Sequence, residues 1–418
     1  MITTRDNIHH RLGGIPFGSL PKTFQDAVTV TRAIGIRYLW IDSLCIIQGD
    51  KQDWANEAGK MAGVYQNAHL VIAASGAENP EQGCYSSQRR CPYAVSVPYY
   101  SSRGRKDGLM WLSVPVQRET SPYWGPLRQR GWALQESCLA RRILRFTPAG
   151  MIWRCSGLMT SERYSFAWIY PEVWEEILED FSDCKLTYKE DRLVALEGLG
   201  RAIQEVTRDK YTLGIFESSI PEQLFWMLED AADEAEDLAA LPSWHWASRG
   251  GPKIFMTKDT QVCERSYPQF ILEPSGILKA QGFVAECGIL STRPGRADVA
   301  LNQLLLAHPY LQHISPRCIQ TPSRPAQLAG IAVFDDEGYE RVHVLFLMQW
   351  EEYDRWVQDR INLKFPHGKG IIKTLYLVLL LRPSPAGEGI FKRVGVGLVI
   401  LDPESDGISA TLKNITLV

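Results

Sequence analysis

The pattern of apolar residues between positions 21 and 76 changes period at short intervals, and this alternation constrains the fold more than any other feature. "PKTFQDAVTVTRAIG" places Phe24, Ala27, Val28, Val30 and Ile34 at helical spacing and stops at Gly35, a residue suited to end a helix. "RYLWIDSLCII" is then a short, nearly continuous apolar run, the pattern of a strand buried on both faces. A polar turn, "GDKQD", leads into a predicted helix from about Asp53, its expected N-cap, to Tyr65, and "AHLVIAASG" reads as a second buried strand. Helix, strand, helix, strand with short turns predicts parallel pairing and right-handed crossovers. Ligands of such sheets sit beyond the carboxyl ends of the strands, where Asp42, Ser43 and Cys45 meet Ala74, Ser75 and Gly76.

At 418 residues the chain is too long for one ordinary core. Residues 77–125 read as a long loop with a short strand or two. "PLRQRGWALQESCLARRILRF" reads as helix, "MIWRC" as strand, and 160–240 as helices, among them "SIPEQLFWMLED". From "PSWHWASRGG" onward short β-like runs are separated by Gly and Pro, and alternation would put Trp244 and Trp246 on one strand face and His245 on the other. The expected organisation is an α/β domain over 1–158, a helical segment packed on it over 159–240, and a β-rich region over 241–418.

A formal charge of −3 gives no electrostatic reason to expect nucleic acid or an anionic membrane as partner. The longest apolar run, "TLYLVLLL", is far short of the ~20 residues a membrane span needs. "MITTRDNIHHR" has no apolar core of a secretory signal. Nine scattered cysteines without a C-x-x-C pair point to reduced thiols and a cytoplasmic protein, with no metal site. No phosphate-cradling glycine loop follows a predicted strand, so no cofactor is indicated by motif.

Three segments, "LWIDSLCIIQ" (39–48), "DWANEAGKMAGVYQNAHLVIAAS" (53–75) and "RGWALQE" (130–136), resemble in order the hallmark motifs of the fungal heterokaryon-incompatibility (HET) domain family. "DRLVALEGLG" (191–200) and "PSWHWAS" (242–248) resemble segments that follow the domain in family members. Members usually open with a strand carrying a Ser-Tyr-x-Trp-Gly-like stretch, and this chain is expected to lack that strand or to replace it. The resemblance implies a role in non-self recognition and regulated cell death. It also implies distant similarity to Toll/interleukin-receptor (TIR) domains, hence a TIR-like, mostly parallel sheet flanked by helices. Some TIR domains cleave NAD with a glutamate placed shortly after a tryptophan on a helix, a spacing matched by Trp54 and Glu57.

Each candidate residue admits a structural alternative. Glu57 lies at the edge of the stripe formed by Trp54, Ala58, Met61 and Tyr65, either to stabilise a ribosyl cation or to favour the helix dipole. Asp42 either shapes a catalytic pocket or pairs with Arg130. Cys45 is a nucleophile only if a base activates it, and otherwise a small buried side chain; Cys138 is similar. Gln48 holds a turn, Ser75 ends a strand, and Trp132 belongs to a core. On the same helix, Gln135 and Glu136 follow at one turn, and Glu136 either pairs with Arg130 or lines a cleft with Glu57, where two carboxyls would drive one pKa up. Three functions follow: cleavage of NAD as substrate, a non-enzymatic death or signalling module working by self-association or a protein partner, and a HET-like scaffold with a cysteine nucleophile.

Overall fold

The computed structural model describes residues 1–85, 94–100, 106–113, 125–147, 150–155, 158–161, 165–166, 174–229, 241–255, 268–290, 317–321, 324–335, 339–350, 374–401 and 410–418. The chain divides into two compact units, Met1–Tyr170 with Cys184–Leu199, and Pro171–Asp183 with Gly200–Val418.

In the first unit, α1 (Ile8–Leu12) is followed by α2 (Lys22–Ala33), α3 (Asp42–Cys45), α4 (Lys51–Asn67) and β1 (Val71–Ala73). A hairpin of β2 (Ala94–Tyr100) and β3 (Lys106–Ser113) follows, then α5 (Gly131–Leu139), β4 (Arg142–Thr147), β5 (Gly150–Cys155), β6 (Leu158–Ser161) and β7 (Ser165–Phe166). The helix expected to stop at Gly35 does so, and that glycine takes the left-handed conformation at φ +75°. Buried Asp26 fastens α2 to the loop before the hairpin by accepting the Cys84 N–H at 2.9 Å.

Several expectations are corrected here. The sheet runs β1-β4-β5-β6-β7, and only β1–β4 is parallel; the mostly parallel, TIR-like sheet is replaced by a mixed one. "RYLWIDSLCII" is not a buried strand. Its first half is irregular, with Tyr38 81% exposed, and its second half is the single turn α3. The apolar side chains are used singly instead: Trp40 meets Tyr65 edge-on, and Ile46 is buried. Asp50, not Asp53, caps α4 by accepting the N–H groups of Gln52 and Asp53, while Asp53 accepts the Ile47 N–H at 2.7 Å. The "ARRILRF" half of the predicted helix is β4, because α5 stops early. Arg154 from β5 donates to the carbonyls of Ser137 and Ala140, satisfying the open end of α5 from outside the local sequence. Thr3 forms a parallel bridge to Ile47, so residues near the N-terminus are tied into the unit.

The second unit contains α6 (Trp174–Ser182), the end of α7 (Asp191–Thr207), the two-residue strands β8 (Tyr211–Thr212) and β9 (Ile215–Phe216), α8 (Ile220–Leu224), β10 (Trp226–Leu228) and β11 (Lys253–Phe255). The helix expected over "SIPEQLFWMLED" is thus α8 followed by strand β10. The β-rich region is present as β12 (Gln269–Leu272), β13 (Leu278–Leu290), β14 (Arg317–Thr321), β15 (Arg324–Phe334), β16 (Arg341–Trp350), β17 (Thr374–Pro383), β18 (Ile390–Leu401) and β19 (Thr411–Leu417). Pairing runs β13-β14-β15-β18-β17-β16 and returns to β13, closing an antiparallel ring that removes sheet edges. Val344, Val378, Leu380, Val399 and Ile319 are fully buried in its core cluster. "TLYLVLLL" is β17 of this ring, and no helix among the described residues is long and apolar enough to cross a membrane.

"PSWHWAS" is a turn leading into one turn of 3-10 helix over Trp246–Ser248, not a strand, and Trp244, His245 and Trp246 are all buried. His245 keeps this turn by accepting the Ala247 N–H at Nδ1 and meeting the Leu213 carbonyl with Nε2. Nearby order rests on buried cations. Arg393 pairs with Asp335, donates to the Trp226 carbonyl and lies 3.5 Å over the Trp226 ring, while Lys253 Nζ donates to the carbonyls of Arg249, Gly250 and Gly251. The acidic stretch at 230–240 lies outside the described residues.

Asp335→Ala should destabilise this unit by about 3–5 kcal/mol in urea denaturation, because Arg393 is left buried without its counter-charge. pH gives a second check. Burial pushes His245 down to about 4, so its stabilisation is full above the ordinary histidine range and is lost as pH falls from about 6.5 toward 4. Burial pushes Glu175 up to about 7, so its stabilisation is lost as pH rises through that value. The slopes oppose each other. Glu175→Gln should therefore steepen the loss of stability between pH 7 and 4; an unchanged slope would contradict the assignment.

Candidate functional site

Helix α4 carries Trp54, Met61 and Tyr65 at spacings of seven and four, which align them on one face. On α5, Trp132 and Glu136 share a face at i and i+4. These faces meet: Trp54 is edge-on to Trp132 with ring centres 6.3 Å apart, and the Tyr65 hydroxyl hydrogen-bonds the Glu136 carboxyl. The start of α5 is held from the segment before α7, where Gly131 donates to the Lys185 carbonyl at 3.1 Å and Lys185 donates to Gln129 at 2.6 Å. The Trp132 indole donates to Asp191 at the first turn of α7. Gly198 lets α7 come close, since a Cβ there would overlap the Gln135 amide and Ala62.

Charge converges on Glu136. The residue is half-buried, and its carboxyl is pushed up to about 7, first by loss of water and then by the negative charge of Asp42. Arg130 and the Tyr65 hydrogen bond work in the opposite direction. The Tyr65 phenol is raised well above its ordinary range by burial and by the charges of Glu136 and Asp42. Four ionisable groups thus come from four places: Asp42 from α3, Tyr65 from α4, Arg130 from the residue before α5, and Glu136 from α5.

Sequence-selected residues divide around this centre. Asp42, Arg130 and Glu136 are brought together, but not by the ion pair expected between Asp42 and Arg130, which is absent among the described residues. Asp42 accepts its neighbour Ser43 N–H at 2.7 Å, and Arg130 is exposed. The carboxylate whose charge acts on Glu136 is Asp42, not Glu57. Glu57 instead accepts Lys60 Nζ at 2.7 Å along its own helix. Cys45 is exposed at the end of α3. Gln48 Nε2 donates to the Ile46 carbonyl at 3.1 Å, the turn-holding bond expected of it. Gln135 and Ser75 are buried. No group of three His, Cys, Asp or Glu among the described residues could hold a metal. Tyr65 was the residue that sequence reasoning counted only as core; its place on the Trp54–Met61 stripe was the available signal.

Residues 4–136 match the family model described as heterokaryon incompatibility protein (HET). The N-terminal part of this chain is a HET domain. No curated protein and no solved structure matches the chain. The match bears out the resemblance read from 39–48, 53–75 and 130–136, and the segments 191–200 and 242–248 lie outside it. All four ionisable groups fall within the HET domain, with Glu136 its last matched residue.

A carboxyl with a pKa near neutrality can take up or release a proton at little cost, and a fixed neighbouring carboxylate can stabilise developing positive charge. Glu136, with the charge of Asp42 acting on it, is therefore the candidate acid–base group of the HET domain. Carbon-13 NMR titration of the Glu136 carboxyl checks the arrangement by sign. Asp42→Asn should lower its midpoint, whereas Tyr65→Phe and Arg130→Ala should each raise it. A common direction for all three would contradict the assigned roles.

Proposed function

We propose that this chain is a heterokaryon-incompatibility-type factor in fungal non-self recognition and regulated cell death, and that its HET domain acts by cleaving the nicotinamide glycosidic bond of NAD. The observation that carries the chemical part is the Glu136 carboxyl, raised to about 7 beside the charge of Asp42. In the proposed reaction the C1′–N bond breaks and its electron pair leaves with nicotinamide as a neutral base. Asp42 stabilises the oxocarbenium-like ribosyl cation. Water attacks C1′, and ionised Glu136 accepts its proton, giving ADP-ribose. In this reading Tyr65 orients the Glu136 carboxyl, and the exposed Arg130 is assigned to a phosphate oxygen of the substrate. Glu57 is kept in the proposal as the residue suggested by spacing to Trp54, although its carboxylate is engaged by Lys60.

Nicotinamide release by purified protein tests this reading, with folding of every variant checked by circular dichroism. Wild type should turn NAD over with a rate that rises as pH increases through about 7, as Glu136 loses its proton. Glu136→Gln should lower kcat by about 10²–10⁴-fold, the usual contribution of a positioned acid or base. Glu57→Gln separates the two glutamates: little loss places the chemistry at Glu136, and total loss returns it to Glu57. If folded wild type consumes no NAD across this pH range, the cleavage reading falls and the domain's role passes to self-association or a protein partner.

A further inference from the structure

Between α2 and α3 the chain runs through residues 36–41 without helix or strand, and its backbone there goes unpaired. The last bond before this stretch joins the Ile36 N–H to the Thr31 carbonyl at 3.1 Å. The first bonds after it join the Leu44 and Cys45 N–H groups to the Ile41 carbonyl. In between, the N–H groups of 37–41 and the carbonyls of 36–40 meet no partner among the described residues. The side chains are open as well. Ile34, Ile36, Tyr38, Leu39, Trp40 and Ile41 are all large and apolar, yet none is buried, and Tyr38 is 81% exposed. The stretch therefore joins the unpaired backbone row of a sheet edge to a contiguous apolar surface, the combination that marks an interaction site. Ile41, at φ −133° and ψ 120°, already has the extended backbone of a strand. What satisfies such a row is a second extended strand laid along it.

The order of residues selects that strand. Two copies of the stretch can pair antiparallel about a two-fold axis in a few registers. With the axis between Leu39 and Trp40, Tyr38 lies opposite Ile41 of the second copy, and Arg37 lies opposite Asp42 at both ends of the ladder. Placing the axis on Leu39 sets Arg37 against Ile41, and placing it on Trp40 sets Asp42 against Tyr38. Parallel pairing in register puts Arg37 beside Arg37. One register thus matches charge to opposite charge and apolar to apolar. Both charges are available for it. Arg37 is exposed, its guanidinium 5.6 Å from the centre of its own neighbour's ring, Tyr38. Asp42 is half-buried and accepts only the Ser43 N–H, and neither residue is in an ion pair among the described residues.

We propose that residues 37–42 form a self-association site, pairing antiparallel with the same residues of a second copy so that Arg37 and Asp42 meet twice across the two-fold axis. The proposal concerns assembly and stands independently of NAD cleavage.

Light scattering after size exclusion, on the full chain over a range of concentrations, reads the assembly, and amide exchange locates it. Wild type should pass from one chain to two as concentration rises through the micromolar range, with slowed exchange at amides within 37–41. Arg37→Asp and Asp42→Arg should each weaken self-association by about tenfold or more, because like charges would then stand opposite each other at both ends. Mixing these two variants should restore a dimer, since each substituted side chain meets its opposite in the other chain. Arg32→Asp, at a neighbouring exposed arginine on α2, controls for net charge and should leave the dimer as it is in wild type. Circular dichroism checks that every variant is folded. A wild type that stays a single chain at the highest concentration reached would overturn the proposal. A dimer that Arg37→Asp and Asp42→Arg form as well as wild type would also overturn it, as would one whose 37–41 amides exchange as fast as in the single chain. Folded Arg37→Asp and Asp42→Arg proteins that stay apart when mixed would contradict the register, and the proposal with it.

Discussion

A half-buried carboxyl that feels the charge of a second carboxylate is a constraint that several contacts of the HET domain answer. Two negative charges in close, partly dry quarters are strongly unfavourable unless one is protonated or cations and donors stand nearby. The domain uses both remedies. Glu136 keeps its proton to about 7, Tyr65 offers a hydrogen bond, and Arg130 supplies positive charge from the exposed side. Each remedy demands its own piece of architecture. Tyr65 must face α5, which the aligned α4 stripe provides; Arg130 must precede α5, which the pairing with Lys185 fixes; and Asp42 must stay on a one-turn helix, which contacts from Thr3 hold.

The second unit shows the same economy with opposite charge. Arg393 and Lys253 are buried cations on Trp226, and the unit tolerates them because Asp335 and a set of backbone carbonyls meet them. In the ring of β13 to β18 every neighbour is antiparallel, so each strand finds both partners within the described sheet. Burial there is apolar, and polar groups gather at Asp335, Arg393 and the His245 turn. Whatever this unit does in the full protein, its polar interior reads first as a means of holding β10, β15 and β18 in register.

Local rules were legible where local physics decided. Gly35 ended α2, the 54–65 stripe gave α4, and "VIA" gave β1, because spacing and caps suffice for such elements. They failed where a distant residue decided. The end of α5 depends on Arg154 from another strand, so the chain after Leu139 kept a helical pattern in sequence and formed β4 in the fold. The run around Trp40 looked like a strand because its side chains are apolar, but among the described residues it pairs only through the isolated Thr3–Ile47 bridge at its end, and it uses Trp40 against Tyr65 instead. The site was legible in part for the same reason. Asp42, Arg130 and Glu136 stood out as charged residues in apolar motifs, whereas Tyr65 passed as core, since an aromatic on a buried stripe gives no local sign that its hydroxyl meets a carboxyl.

The account stands on one property of one side chain, and the most direct measurement is the pKa of Glu136 in the folded wild-type protein by carbon-13 NMR of its labelled carboxyl. A midpoint near 7, well separated from the ordinary glutamate value of 4.5, is the result this arrangement requires. A midpoint at the ordinary value would mean that Asp42 and burial do not act on Glu136 as described, and the acid–base reading of the HET domain would be wrong.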